Sequence, residues 1–290
     1  RRLADLKKLD ALRIFLKKLD TGICNRDYEV PVRLYFPTEE DMKLEPEERS
    51  NLSVLLFFHG GGWVTESVET YNRVCARMAQ STGCIVASVE YRLAPEYRFP
   101  TAFEDCYAVA KALYTNHSIL KIHPDQITIM GDSAGGNLTA AVCLKARDTG
   151  DFTPKRQILI YPALNNCYTE ESPYPSVQEN GTDYLLTAVK MEDYLKLYES
   201  SPQDRQNPYF APLMAEDFFG LPRTLILTAE LDPLRDEGED YGKKLLDAGN
   251  EVDVHRIEGA FHGFFALGIR FLHVQESFTY INAFLKGSEE

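Results

Sequence analysis

The 290-residue sequence predicts an α/β fold: a mostly parallel sheet covered by helices on both faces. Three observations predict it. Short apolar runs alternate along the chain with helical patterns of about 10–15 residues, the rhythm of repeated strand–helix–strand units. The run at 52–58 is almost continuously apolar, as expected of a strand buried on both faces. The β-branched run Ile127-Thr128-Ile129-Met130 drops into Gly131-Asp132-Ser133-Ala134-Gly135, followed by an Ala-rich helical pattern, so a strand, a sharp turn and a helix place Ser133 at an apex.

The elements follow in order. Leu9, Leu12, Leu16 and Leu19 share one face of a helix over 3–19, which packs on the same domain or lies on a membrane surface. Residues 28–36 alternate as a strand, and the acidic stretch 38–51 reads as a loop. Strand 52–58 ends in His59-Gly60-Gly61-Gly62-Trp63, and helix 67–81, strand 84–90 and helix 101–114 follow. After the serine strand and its helix (about 137–145), a strand at 157–161 precedes a break in rhythm at 165–212, an insertion with one helix at 188–198. Strand 224–228, helix 236–248, strand 251–257 and a last helix near 270–286 complete one domain spanning 1–290.

Composition narrows the function. A formal net charge of −13 argues against nucleic acid or an anionic membrane as partner, and no apolar run reaches the roughly 20 residues of a membrane span. The six cysteines form no C-x-x-C pair and several lie in apolar runs, which fits reduced thiols in the cytoplasm. The chain starts at Arg1 without methionine, leaving open a removed signal or a trimmed end. Four N-x-S/T sequons are present, but Asn137 falls on the helix behind the serine, a poor glycan site. Neither G-x-x-x-x-G-K-[ST], a strand-borne G-x-G-x-x-G, H-E-x-x-H nor a zinc-type Cys/His spacing occurs, so the motifs imply no cofactor and no metal.

A serine hydroxyl needs a base to take its proton and an acid to orient that base. In an open parallel sheet these groups belong just past the carboxyl ends of strands. Of the six histidines, His255 falls within a strand, His273 within a helix, His117 and His123 before the serine strand, and His59 in a glycine turn. His262 remains, in the loop Glu258-Gly259-Ala260-Phe261-His262-Gly263-Phe264 past the last strand. Asp232 is the best-placed acid, with Glu230 as rival; Asp236 and Glu237 read as first-turn carboxylates complementing a helix dipole. The order Ser133, Asp232, His262 is that of α/β hydrolases. The amides of Gly60, Gly61 and Ala134 are the candidate oxyanion donors.

His59-Gly60-Gly61-Gly62-Trp63, Tyr91-Arg92-Leu93-Ala94-Pro95-Glu96, Gly131-Asp132-Ser133-Ala134-Gly135-Gly136, Asp232-Pro233-Leu234-Arg235-Asp236-Glu237 and His262-Gly263-Phe264 together resemble the hormone-sensitive lipase family of bacterial carboxylesterases, over about residues 50–275. Glu90 departs from the pattern, where Asp is commoner. The resemblance implies an eight-stranded α/β-hydrolase core, a small helical cap from about 1–20 and 168–205, and a cofactor-free esterase for short acyl chains. In relatives the last strand and helix often pair, so a homodimer is compatible with it. A deacetylase of acetylated carbohydrates or xenobiotics fits the same residues. A non-catalytic binding protein, like the related plant gibberellin receptors, would lack the histidine. The insertion tyrosines Tyr168, Tyr174, Tyr184, Tyr194 and Tyr198 either wall the pocket or pack as core. Activity is expected to fall below about pH 6 as His262 protonates.

Overall fold

A computed structural model describes residues 18–45, 48–49, 52–116, 120, 122–268 and 271–287. Eight strands form one sheet in the order β1-β2-β4-β3-β5-β6-β7-β8: β1 Lys18–Asn25, β2 Tyr28–Tyr35, β3 Val54–Phe58, β4 Ile85–Val89, β5 Ile127–Asp132, β6 Arg156–Ile160, β7 Arg223–Leu231 and β8 Val252–Phe261. From β4 across to β8 the pairings are parallel; β2 joins β4, and β1 joins β2, antiparallel. The expected mostly parallel, eight-stranded sheet is present.

The helices are α1 Glu39–Lys43, α2 Asn72–Thr82, α3 Thr101–Thr115, α4 Ala134–Thr149, α5 Pro175–Glu179, α6 Ala188–Tyr198, α7 Arg235–Asp247 and α8 Leu272–Lys286. Alternation along the central strands sorts them into two layers. Val54, Leu56 and Phe58 point to the side packed by α3, α4 and α7, while Leu55 and Phe57 point to the side packed by α2 and α8. Both faces are apolar, which is why β3, β4 and β5 are buried throughout.

The expected helix over 3–19 lies outside the described residues, except for its end, which needs correction: Lys18 and Leu19 open β1. That strand is held by its pairing with β2 and by Arg33, whose guanidinium bonds Asp20 at 2.5 Å across the ladder. The stretch read as a loop at 38–51 contains α1, started by a capping box in which Thr38 and Asp41 satisfy each other's amides. Within 168–205, α5 and α6 are the α-helices among the described residues, and α6 has the bounds expected for it. Leu195 and Tyr198 of α6 are buried, anchoring the insertion to the layer containing α3 and α4.

Candidate active site

Ser133 follows β5 with φ 55° and ψ −119°, a left-handed backbone that a non-glycine residue adopts only where its surroundings enforce it. They do so here. The Ser133 amide donates to Ile160 O at 2.9 Å, and the Ser133 carbonyl accepts from Asn137 and Ala163. The flanking glycines are required for space: a Cβ on Gly131 would overlap the Gly135 carbonyl, and one on Gly135 would overlap the Phe58 carbonyl. The serine hydroxyl is thereby presented at the start of α4, where unpaired amides and the helix dipole favour negative charge.

His262 follows β8 directly, because that strand runs to Phe261 rather than ending at 257 as the alternation suggested. Asp232 likewise follows β7 directly, and its carboxylate is fully buried. Asp232 Oδ2 accepts from His262 Nδ1 at 2.7 Å, and its Oδ1 accepts the Leu234 amide at 2.9 Å. A carboxylate can only accept, so Nδ1 carries the imidazole proton and Nε2 is left as the acceptor. Ser133 Oγ donates to that Nε2 at 2.8 Å. The three side chains read from the sequence therefore converge in one hydrogen-bonded chain.

Glu230, the rival acid, points elsewhere and accepts the Gly259 amide at 2.7 Å. Asp236 accepts the Ser176 amide, and Glu237 is fully buried, taking the amides of Leu164 and Asn165 and the Tyr168 hydroxyl. The reading of Glu237 as a simple first-turn carboxylate is thus incomplete. His59 is buried, stacked on Tyr91 with ring centroids 4.4 Å apart, and remote from the base role. His255 stacks on Tyr280, and His117 lies outside the described residues.

One of the three oxyanion amides needs correction. The Gly60 N–H donates to Asp132 Oδ1 at 2.8 Å and is occupied. Gly61 and Gly62, with φ of 122° and 62°, turn the chain so that both line the cavity beside Ser133 and Ala134. Among the described residues the amides of Gly61, Gly62 and Ala134 form no hydrogen bond, which leaves three donors for a ligand. Residue spacing alone could not rank the three glycines, since the ranking depends on a carboxylate 72 residues away in sequence.

The cavity over these groups has a volume of about 570 Å³. Leu186, Met191 and Tyr194, from the stretch 168–205, line it. The insertion tyrosines divide: Tyr184 and Tyr194 reach the cavity, whereas Tyr168 bonds Glu237, Tyr174 bonds Asp240 and Tyr198 stacks on Trp63 at 4.6 Å. Among the described residues no group of His, Cys, Asp and Glu could hold a metal, and no helix is long and apolar enough to cross a membrane.

A family model for the α/β hydrolase fold matches residues 55–266. The chain is 38% identical over 246 residues to an arylesterase of Saccharolobus solfataricus, covering 84% of this chain and 76% of the relative. It is 35% identical over 251 residues to an ethyl acetate hydrolase of Pseudomonas putida, covering 86% and 76%. The structure matches a hyperthermophilic esterase from Pyrobaculum calidifontis with a TM-score of 0.85 and 38% identity, over 98% of this chain and 88% of that one. The chain belongs to the α/β-hydrolase fold family, within its hormone-sensitive-lipase-like carboxylic ester hydrolases.

Proposed function

We propose that the chain is a serine carboxylesterase for short acyl esters in which Ser133 is the nucleophile, His262 the general base and acid, and Asp232 the residue that orients the imidazole. Ser133 Oγ attacks the ester carbonyl while its proton passes to His262 Nε2. The tetrahedral oxyanion accepts hydrogen bonds from Gly61, Gly62 and Ala134, and Asp232 stabilises the imidazolium. Collapse expels the alcohol, which takes the proton from Nε2; water then enters, is deprotonated by the same nitrogen and releases the acid, restoring Ser133.

The continuous Ser133–His262–Asp232 hydrogen-bond chain carries this reading. It also leaves a purely ligand-binding role without support. The apolar side chains of Leu186, Met191 and Tyr194 beside the serine support a preference for short acyl chains, and the helices at 175–179 and 188–198 act as cap. Among the described residues the six cysteines form no disulfide and four of them are buried, which supports action in a reducing cytoplasm.

Ser133→Ala tests the reading: p-nitrophenyl acetate turnover should fall on the order of 10⁶-fold and organophosphate labelling should vanish. Undiminished turnover in that variant would end it.

A further inference from the structure

We propose that Asp132, the residue before the nucleophile, is a positioning residue that locks the oxyanion-binding glycine turn onto the serine elbow. The inference rests on the ester-hydrolase reading above and adds to it the element that sets the position of Gly61 and Gly62.

The need for such an element follows from the sheet. β3 and β5 pair in parallel, and their last ladder partners are Phe58 and Gly131. Beyond that pair β3 turns into the glycine segment and β5 into the serine elbow, so no ladder bond holds the two together. Both must keep their relative position to a few tenths of an ångström if amides from one are to meet an oxyanion formed on the other. The Asp132 side chain makes the missing connection. It is buried, its Oδ1 accepts the Gly60 N–H at 2.8 Å, and its Oδ2 accepts the hydroxyls of Tyr71 at 2.9 Å and Tyr161 at 3.2 Å.

The two phenols extend the connection to the rest of the site. Tyr71 immediately precedes α2, and Tyr161 follows β6 with its ring 4.8 Å from the His262 ring. One carboxylate therefore joins the ends of β3, β5 and β6 and the start of α2. Burial and the neighbouring Asp132 charge push both phenol pKa values well above the usual range, so each remains an O–H donor to the carboxylate. Space around Gly60 is closed as well: a Cβ there would lie 2.8 Å from Asp132 Oδ2 and 3.1 Å from the Tyr71 hydroxyl. Gly60 thus serves close approach to Asp132, which explains why it, the first of three successive glycines, supplies no oxyanion donor.

Asp132→Asn is the test, because it preserves shape while replacing one acceptor oxygen with an N–H₂ that cannot serve all three donors. For p-nitrophenyl acetate, kcat should fall about 10²-fold with KM changed less than about threefold. Affinity for a trifluoromethyl ketone, whose hemiketal oxygen occupies the oxyanion position, should fall by the same factor as kcat/KM. Phosphonate labelling should be slower yet reach the wild-type stoichiometry. A kcat within about threefold of wild type would overturn the proposal. So would a loss of kcat matched by an equal loss of labelled sites, which would mean a misfolded fraction.

If Asp132→Asn does not fold, the double variant Tyr71→Phe/Tyr161→Phe takes its place. It removes both Oδ2 donors, and kcat should drop about tenfold at constant KM; wild-type kcat would refute the proposal. A wild-type chain that resists labelling at Ser133 would remove the hydrolase reading itself, whereas a labelled wild type beside an unaffected Asp132→Asn removes this proposal alone.

Discussion

Glu237 gives this fold a pH-dependent stability that a single substitution should abolish. The side chain is fully buried in the first turn of α7, and burial, with a smaller contribution from the Asp232 charge, pushes its pKa up to about 8. Hydrogen bonds from Leu164, Asn165 and Tyr168 all reach Oε1, while Oε2 is buried without a partner among the described residues. In the unfolded chain the same carboxyl has its ordinary value of 4.5. Between those two values the native state keeps a proton that the unfolded state has lost, so stability falls as pH rises through the window and levels off above it. A shift from 4.5 to about 8, at roughly 1.36 kcal/mol per unit, sets an upper limit on the order of 5 kcal/mol. Glu237→Gln keeps an acceptor for the three donors and cannot ionise. Urea unfolding of both proteins, followed by far-UV circular dichroism near pH 5 and near pH 9, isolates the effect, because the two chains differ only in this carboxyl. The variant should match or fall slightly below wild type at the acidic end and exceed it by several kcal/mol, up to about 5, at the basic end. Parallel pH profiles for the two proteins would refute the reasoning.

The remaining predictions concern space, the pocket and a buried ion pair. Gly135→Ala places a methyl against the Phe58 and His59 carbonyls, at the carboxyl end of β3 between β4 and β5, where the backbone has no room to shift, and should cost about 3 kcal/mol or more. Thermal unfolding should report it as a Tm lowered by roughly 5–10 °C. Tyr194→Ala opens the wall beside Gly62. At about 0.8 kcal/mol per buried methylene, two extra acyl carbons should gain on the order of tenfold in kcat/KM relative to wild type, as read from a p-nitrophenyl ester chain-length series. Asp105, fully buried, accepts two bonds from the Arg92 guanidinium and one from Asn25. Because Arg92 keeps some solvent contact, Asp105→Asn should destabilise by about 3 kcal/mol, the low end for breaking such a pair.

Much of this molecule is legible in its sequence because buried parallel strands cannot disguise themselves. Residues 54–58 carry no polar side chain and 127–130 only Thr128, and the turn at 131–135 permits no side chain on either flanking glycine. The order of the candidate triad follows from the same logic: His262 lies just beyond a strand and outside the glycine turn that holds His59, and Asp232 lies just beyond β7 beside its rival Glu230. What stayed hidden depends on partners distant in sequence. β1, with its Lys-Leu-Asp-Thr-Gly stretch, has no strong period of its own and is a strand only because β2 lies beside it. That the Gly60 amide is occupied depends on Asp132, and the burial of Glu237 depends on the segment 164–168 that covers it. Spacing leaves Tyr174 and Tyr198 open between pocket wall and core, and only their partners, Asp240 for the one hydroxyl and Trp63 for the other ring, decide it.

The parallel sheet explains why the site lies on one rim, but not how its members touch. β5 and β8 are separated by β6 and β7, so at about 4.8 Å per strand their ends stand roughly 14 Å apart. Ser133 and His262 nevertheless meet at 2.8 Å. The register supplies the missing reach. Ala229 pairs with Ile257 and Leu231 with Phe261, so three residues of β8 oppose Glu230 alone. This bulge turns at Gly259, whose φ of 67° suits glycine, and it is fastened by the Glu230 carboxylate on the Gly259 amide. The carboxylate that rivalled Asp232 on sequence grounds thus holds the irregularity that carries His262 back over β7, to where Asp232 can orient it and Ser133 can reach it.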